Sequence, residues 1–142
     1  MRRLPLLTGL AVVVGLLLPA TAPAKDVLRF FRSPSGNIGC LYAKTAGSRP
    51  DLRCDLAQVA HPAPKPASCE FDWGHAFGVS TRGRAHRLCV SDSAMDPGAA
   101  VLRYGRTRRF GPFSCTSKTT GLRCVAPSGH GFKLSRAQQK LF

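Results

Sequence analysis

Seven arginines in the second half of the chain are the residues whose type and spacing best suit a chemical task. Arg82, Arg84 and Arg87 form one group, and Arg103, Arg106, Arg108 and Arg109 form another. A guanidinium stays charged at any physiological pH, and its planar fork bonds two oxygens of one phosphate together. These seven are therefore the candidate anion-binding residues, with Tyr104 and Phe110 placed to add stacking beside the second group. The charge is also uneven. Residues 25–79 carry seven basic and five acidic side chains, a net +2, whereas residues 80–142 carry twelve and two, a net +10. A field of that size draws polyanions and speeds their encounter, over a Debye length of ~8 Å at physiological salt. The plain counter-reading is compositional. Fifteen Arg against six Lys fits a high-GC coding bias, and a basic surface also keeps a secreted protein soluble.

Catalysis is poorly supplied. Ser128, His130 and either Asp92 or Asp72 can be written as a triad, but Ser128 lacks the Gly-x-Ser-x-Gly setting that exposes a nucleophile on an elbow. Asp55, Glu70 and Asp72 could furnish paired carboxylates, yet they stand near cysteines and basic residues, where structural pairing is equally natural. No catalytic residue is assigned, and no cofactor is implied. Two single residues remain as weak candidate sites. Trp73, the one tryptophan, could stack a ligand; the preferred expectation is a core anchor packed against a disulfide. His130 stands between two glycines that let backbone approach closely, and it serves equally well as a turn residue.

The six cysteines, Cys40, Cys54, Cys69, Cys89, Cys115 and Cys124, are an even set without a Cys-x-x-Cys pair. With no zinc-type spacing to the four histidines, they read as disulfides rather than as metal ligands. Cys115 and Cys124 flank a turn at Thr120-Gly121 and suit a bridge across a hairpin. Pairing the others in sequence order gives Cys40–Cys54 and Cys69–Cys89, one choice among the 15 that six cysteines allow. Loops of this size stabilise by ~2–4 kcal/mol each in the chain-entropy model.

An oxidising compartment is also what the start of the chain implies. Met1-Arg2-Arg3 is followed by an almost wholly apolar stretch to Leu18, then by Pro19 and the small residues Ala20 to Ala24. Charge, apolar stretch and small-residue site make a secretory signal peptide, with cleavage expected after Ala24. The stretch is shorter than the ~20 residues of a spanning helix, and no second one approaches that length. The expectation is a cleaved leader, residues 1–24, then one secreted or envelope-associated domain, residues 25–142, without a membrane span and monomeric.

The elements that must hold these residues are mostly strands. Val27–Phe31, Ile38–Tyr42, Leu52–Val59, Arg87–Ser91, Ala100–Tyr104, Phe113–Ser117, Leu122–Val125 and Phe132–Leu134 are short apolar-rich runs, most of them separated by Gly or Pro. His61 to Pro66 has Pro at every second position and forms an extended connector. This pattern predicts a mainly β fold, a small disulfide-stapled antiparallel sandwich or barrel-like domain. A short C-terminal helix is expected from Ser135 to Leu141, with Ser135 as its cap and Gln138 as the capping-box partner.

Phe31-Arg32-Ser33-Pro34-Ser35-Gly36-Asn37-Ile38-Gly39-Cys40 resembles the opening motif of a family of small secreted bacterial, mainly actinobacterial, proteins of unknown function. Asp72-Trp73-Gly74, Tyr104-Gly105 and Gly129-His130-Gly131-Phe132-Lys133-Leu134-Ser135-Arg136 continue the resemblance in order. It implies secretion and a single cysteine-stapled domain, and it carries no catalytic residue to this chain.

Three functions compete. The leading one is a non-enzymatic binding or structural domain that associates through its basic half with an anionic polymer or lipid headgroups of the cell envelope. The second is an inhibitor-like or effector module that docks a disulfide-bounded loop such as Cys69–Cys89 into a protein target. The third is a small secreted hydrolase.

Overall fold

The computed structural model describes residues 25–142; the leader expected over residues 1–24 lies outside them. Eleven strands are found there, in two sheets. The first sheet is built from Val27–Arg32 (β1), Ile38–Lys44 (β2), Asp51–Leu56 (β3), Ala76–Ser80 (β4), His86–Arg87 (β5) and Ala100–Val101 (β6), in the order β5-β4-β3-β2-β1-β6. The second is a plain meander of Thr107–Phe110 (β7), Phe113–Lys118 (β8), Gly121–Val125 (β9), Gly131–Leu134 (β10) and Gln139–Leu141 (β11), each paired antiparallel to its neighbour. All pairings within the sheets are antiparallel except β1 with β6.

Side chains alternate across a strand, so every second residue reaches one face. In β2 and β3 the inward set is Ile38, Cys40 and Tyr42 opposite Leu56, Cys54 and Leu52. In β8, β9 and β10 it is Phe113, Cys115 and Ser117, then Leu122 and Cys124, then Phe132 and Leu134, all buried. These faces form one hydrophobic core. Phe31 of β1 stacks on Phe110 of β7 with ring centroids 3.7 Å apart, and Tyr42 of β2 meets Phe113 of β8 edge-on at 6.1 Å. Burial of such rings stabilises by roughly 1.5–3 kcal/mol each, and these contacts lock the second sheet onto the first.

Three disulfides staple the domain: Cys40–Cys54, Cys69–Cys89 and Cys115–Cys124, in sequence order. The first and third join residues directly opposite each other on β2–β3 and β8–β9, inside the core. The second ties the Pro-rich connector to the segment after β5. Such stapling belongs to proteins of oxidising compartments.

The chain end is a strand, not a helix. Leu134 pairs with Gln139, and Gly131 exchanges backbone hydrogen bonds with Phe142 at 2.8 and 3.0 Å. A helix of two turns would have to form its costly nucleus for very few hydrogen bonds, while the open edge of β10 offers a ladder. The Ser135 hydroxyl does accept from the Gln138 N–H at 3.0 Å, so the expected cap is present, but it closes a hairpin. Two further strands, β4 and β7, are not announced by apolar alternation. β4 carries Gly78 packed on Leu88, and β7 is Thr-Arg-Arg-Phe, exposed except for Phe110. Pairing places both. Phe110 and Phe113 are opposite each other, leaving Gly111 and Pro112 as a two-residue loop. Gly111 has φ +54° and Pro112 cannot follow suit, which is the requirement of a type II′ turn.

The outer faces of the two sheets differ. That of the first is covered by the segment after β5. Gly39 lies so close to it that a Cβ would stand 2.8 Å from the Met95 sulfur and 2.9 Å from its Cα. Underneath, Asp55 is buried, accepts the Ala94 N–H at 2.8 Å, and is held by the Arg53 guanidinium. The outer face of the second sheet carries no such cover among the described residues.

Candidate functional site

Register determines what stands on that bare face. Directly opposite residues of an antiparallel pair share a face. The row Thr107↔Thr116↔Arg123↔Lys133↔Lys140 therefore crosses all five strands. Arg109↔Ser114↔Val125 runs beside it, and Lys118 stands two residues beyond Thr116. Arg109, Lys118, Arg123, Lys133 and Lys140 are all exposed. Strands lie ≈ 4.8 Å apart, so Arg123, Lys133 and Lys140 form a line of cations at roughly that interval. No Asp or Glu follows Asp96 in the chain, and the ion pairs found among the described residues all involve Arg53. Thr107 and Thr116 bond through their hydroxyls at 2.8 Å, and the Arg123 guanidinium sits 4.8 Å over the Phe142 ring. Beside them lies a shallow hollow of about 230 Å³ lined by Thr116, Lys118, Thr120, Gly121, Arg123 and Lys133.

Like charges placed directly opposite destabilise a sheet. Arg123–Lys133 and Lys133–Lys140 are two such pairs in series, and no Asp or Glu among the described residues pairs with them. The arrangement can lower its own free energy by recruiting an external polyanion.

The seven arginines singled out from the sequence divide between the sheets. Arg82 and Arg84 are exposed in the turn between β4 and β5. Arg87 lies on β5, the edge of the first sheet, with its guanidinium 5.8 Å over Phe77 and its Nε buried without a partner. Arg103 and Arg106 are exposed in the loop before β7, Arg106 accepting the Ser117 N–H through its carbonyl at 3.0 Å. Arg108 points along the Phe110 side of β7, 5.8 Å over that ring, whereas Arg109 faces outward with the basic row. The first group thus stays together on the β4–β5 hairpin, whereas the second is split by β7, and only Arg109 joins the basic row. Lys118, Arg123, Lys133 and Lys140 are scattered singly in the sequence. The signal that would have found them is their position between inward apolar neighbours, as in Leu122-Arg123-Cys124 and Phe132-Lys133-Leu134.

Two larger clefts flank this surface. The first, about 470 Å³, opens where the sheets meet and is lined by the Ser33–Ile38 turn, Gln58, Tyr104, Ser117–Thr119, Ser135 and Arg136. Segments quoted for the family resemblance, far apart in the chain, converge there. Asn37 fixes its floor by exchanging hydrogen bonds with the backbone of Gln58 at 2.9 and 3.2 Å. The second, about 560 Å³, is lined by Lys65, Phe71, Asp72, Trp73, Val90 and Met95 among others. Trp73 belongs here. It is half-buried, lies outside the hydrophobic core and has an Nε1 without a partner. The expected core anchor is therefore a cleft wall. The disulfide Cys69–Cys89 and the bridge Asp72↔Val90 hold this loop out on the flank of the first sheet, away from the inter-sheet core.

The third grouping, Ser128, His130 and Asp92, forms no hydrogen-bonded set. The Ser128 hydroxyl accepts the backbone N–H of His130 at 3.4 Å in the turn before β10. Asp92 is bound to Arg53 at 2.9 Å, and that hydrogen bond and the attraction of the guanidinium hold its carboxyl below the usual range. Burial works against the charge of Arg53, but its bonds to Asp55 and Asp92 outweigh that and raise its pKa. Burial raises the pKa of Asp51 at the start of β3. Among the described residues no cluster of three or more His, Cys, Asp or Glu could hold a metal, and no helix is long and apolar enough to cross a membrane.

The model of a family of unknown function, DUF6636, matches residues 10–142. No curated protein and no solved structure matches the chain.

Proposed function

The chain belongs to DUF6636, a family of unknown function, so its role has to be read from its own surface, and we propose that it is a secreted, non-enzymatic domain that binds an anionic polymer of the cell envelope. The observation that carries this is the uncovered outer face of the second sheet, with Arg109, Lys118, Arg123, Lys133 and Lys140 exposed and no carboxylate among them. A sheet face suits an extended polymer. Cations spaced at the strand interval meet successive anionic groups without a deep pocket, and arginine and lysine both bind phosphate there. Three disulfides and the signal-like leader support a place outside the cytoplasm.

The test is retention on purified cell walls over a salt series. For nucleic acids, log K falls with log salt by about 0.7–0.9 per phosphate neutralised, and a five-cation face is expected to behave alike. Replacing Arg123, Lys133 and Lys140 together by Ser should flatten that slope by about 2–3 and release the protein at low salt. Binding that ignores both salt and these residues sinks the proposal.

One observation favours a second reading, a module that docks on a protein. Phe71 is 53% exposed in the loop closed by Cys69–Cys89, on the rim of the Trp73 cleft. A pull-down that survives salt but is lost on Phe71→Ala would replace the polymer by a protein partner.

A further inference from the structure

The cleft between the sheets carries cations that the fold does not use. Lys118 and Arg136 both reach its wall, and neither has an ion pair or a side-chain hydrogen bond among the described residues. Hydroxyls of Ser33, Ser35, Ser117, Thr119 and Ser135 surround them, and no carboxylate lines the site. Some of these polar groups serve the fold. Ser33 and Ser35 bond to each other at 3.1 Å, and Ser33 accepts the Ile38 N–H. The cations and the Tyr104 phenol, 43% exposed at the edge, have no such duty. At about 470 Å³ the cleft lies within the 300–1,000 Å³ range of small-molecule sites. Unlike the Trp73 cleft, where Asp72 and Asp92 stand with Lys65, its charge has a single sign.

We propose that this cleft binds the phosphate ester of a small polyol or sugar, as a terminal or side unit of the polymer that lies on the sheet face. Two cations suit a phosphate, while hydroxyls and a phenol suit the hydroxyls of the ester. Continuity supports the link to the polymer. Lys118 and Gly121 line both this cleft and the hollow beside Arg123 and Lys133, so the cationic surface turns over the β8–β9 hairpin without a break. The polymer part of this proposal rests on the function proposed for the sheet face; binding of the isolated ester does not.

The experiment is a titration of the ¹⁵N-labelled domain, residues 25–142, with glycerol 3-phosphate, with glycerol and inorganic phosphate as controls. Saturable shifts are expected at the amides of Ser35 to Asn37, Thr119 and Arg136, with a Kd of about 1 mM for so small a ligand. Glycerol should cause none, and inorganic phosphate should bind at least threefold more weakly. Arg136→Gln and Tyr104→Ala should each weaken the ester tenfold or more while leaving the remaining amide spectrum unchanged, and Lys133→Ser with Lys140→Ser should not weaken it. Shifts that fail to saturate, that map to β9 and β10 instead, or that persist in Arg136→Gln overturn the proposal. Inorganic phosphate binding as tightly as the ester removes the polyol from it. Wall binding lost in the sheet-face variants without any ester binding leaves the face as the site and refutes the cleft; ester binding with salt-insensitive wall retention does the reverse. Glycerol 3-phosphate that displaces the protein from phosphatidylglycerol vesicles but not from cell walls would place the ester in a lipid and refute the polymer source.

Discussion

Lys133→Glu sets stability and binding against each other, and the structure fixes the sign of both. Lys133 stands on β10 directly opposite Arg123 of β9 on one side and Lys140 of β11 on the other. Each pair is now repulsive, and the substitution makes each attractive. Opposite-charge cross-strand pairs contribute about 0.2–1 kcal/mol and like pairs cost a similar amount; exposure keeps both toward the lower end, about 0.3–0.5 kcal/mol. Reversing two pairs is therefore worth about 1–2 kcal/mol in favour of folding, or a rise in Tm of about 4–10 °C for a domain of this size. At 1 M salt, where the Debye length is about 3 Å, most of that gain should vanish. Retention on anionic walls should fall in the same variant at low salt. Calorimetry at two salt concentrations, beside wall retention at the lower, measures both. A variant that is less stable at low salt, or equally stable, would show that these cations do not face one another as a row. A stabilised variant that still binds walls normally would separate the row from the function. A surface that is more stable without its function is a common mark of a binding site.

Other expectations follow from the same geometry. Replacing Cys115 and Cys124 by Ala removes a bridge of sequence separation 9 from the core of the second sheet; chain entropy puts the loss at about 3 kcal/mol, read as a lower urea midpoint. Gly39→Ala places a Cβ against the Met95 sulfur and backbone and should cost about 1–3 kcal/mol by overpacking, lifting the segment that carries Asp92. Because Asp92 is held below its usual pKa by Arg53, its contribution to stability is complete above about pH 3.9, the ordinary value. It is lost as the pH falls through the lower folded value. Acid unfolding should accordingly be less steep in Asp92→Asn than in the wild type, and an unchanged acid limb would show that the pair adds nothing.

Part of this fold is legible in the amino-acid sequence alone. Alternation in Ile38-Gly39-Cys40-Leu41-Tyr42 and Phe113-Ser114-Cys115-Thr116-Ser117 reads as half-buried strands because period 2 separates inward from outward residues locally. β4, β7 and β11 were not legible for a common reason: each is a strand because a neighbour pairs with it. Thr-Arg-Arg-Phe has no inward set beyond Phe110, and the last residues after Ser135 carry a valid helix cap. Their state was chosen by ladder hydrogen bonds and by the stacking of Phe110 on Phe31, interactions between segments about 80 residues apart.

The same division holds for the sites. By itself the sequence determined the class: a signal-like leader, six cysteines without metal spacing, many short strands, and a positive charge gathered after Ser80. Each of these is a property of composition or of nearest neighbours, and needs no fold to be counted. Which cations share a surface is a property of register. Adjacent arginines on β7 point to opposite faces, while Arg123, Lys133 and Lys140, apart in the chain, stand in line because two hairpins fix their three strands opposite one another. Trp73 left the core for a similar reason, since a disulfide and one bridge hold its loop outside the sheets. Tertiary structure alone decided that one sheet would be covered by a loop and the other left bare, and so where the charge of this protein is available to a partner.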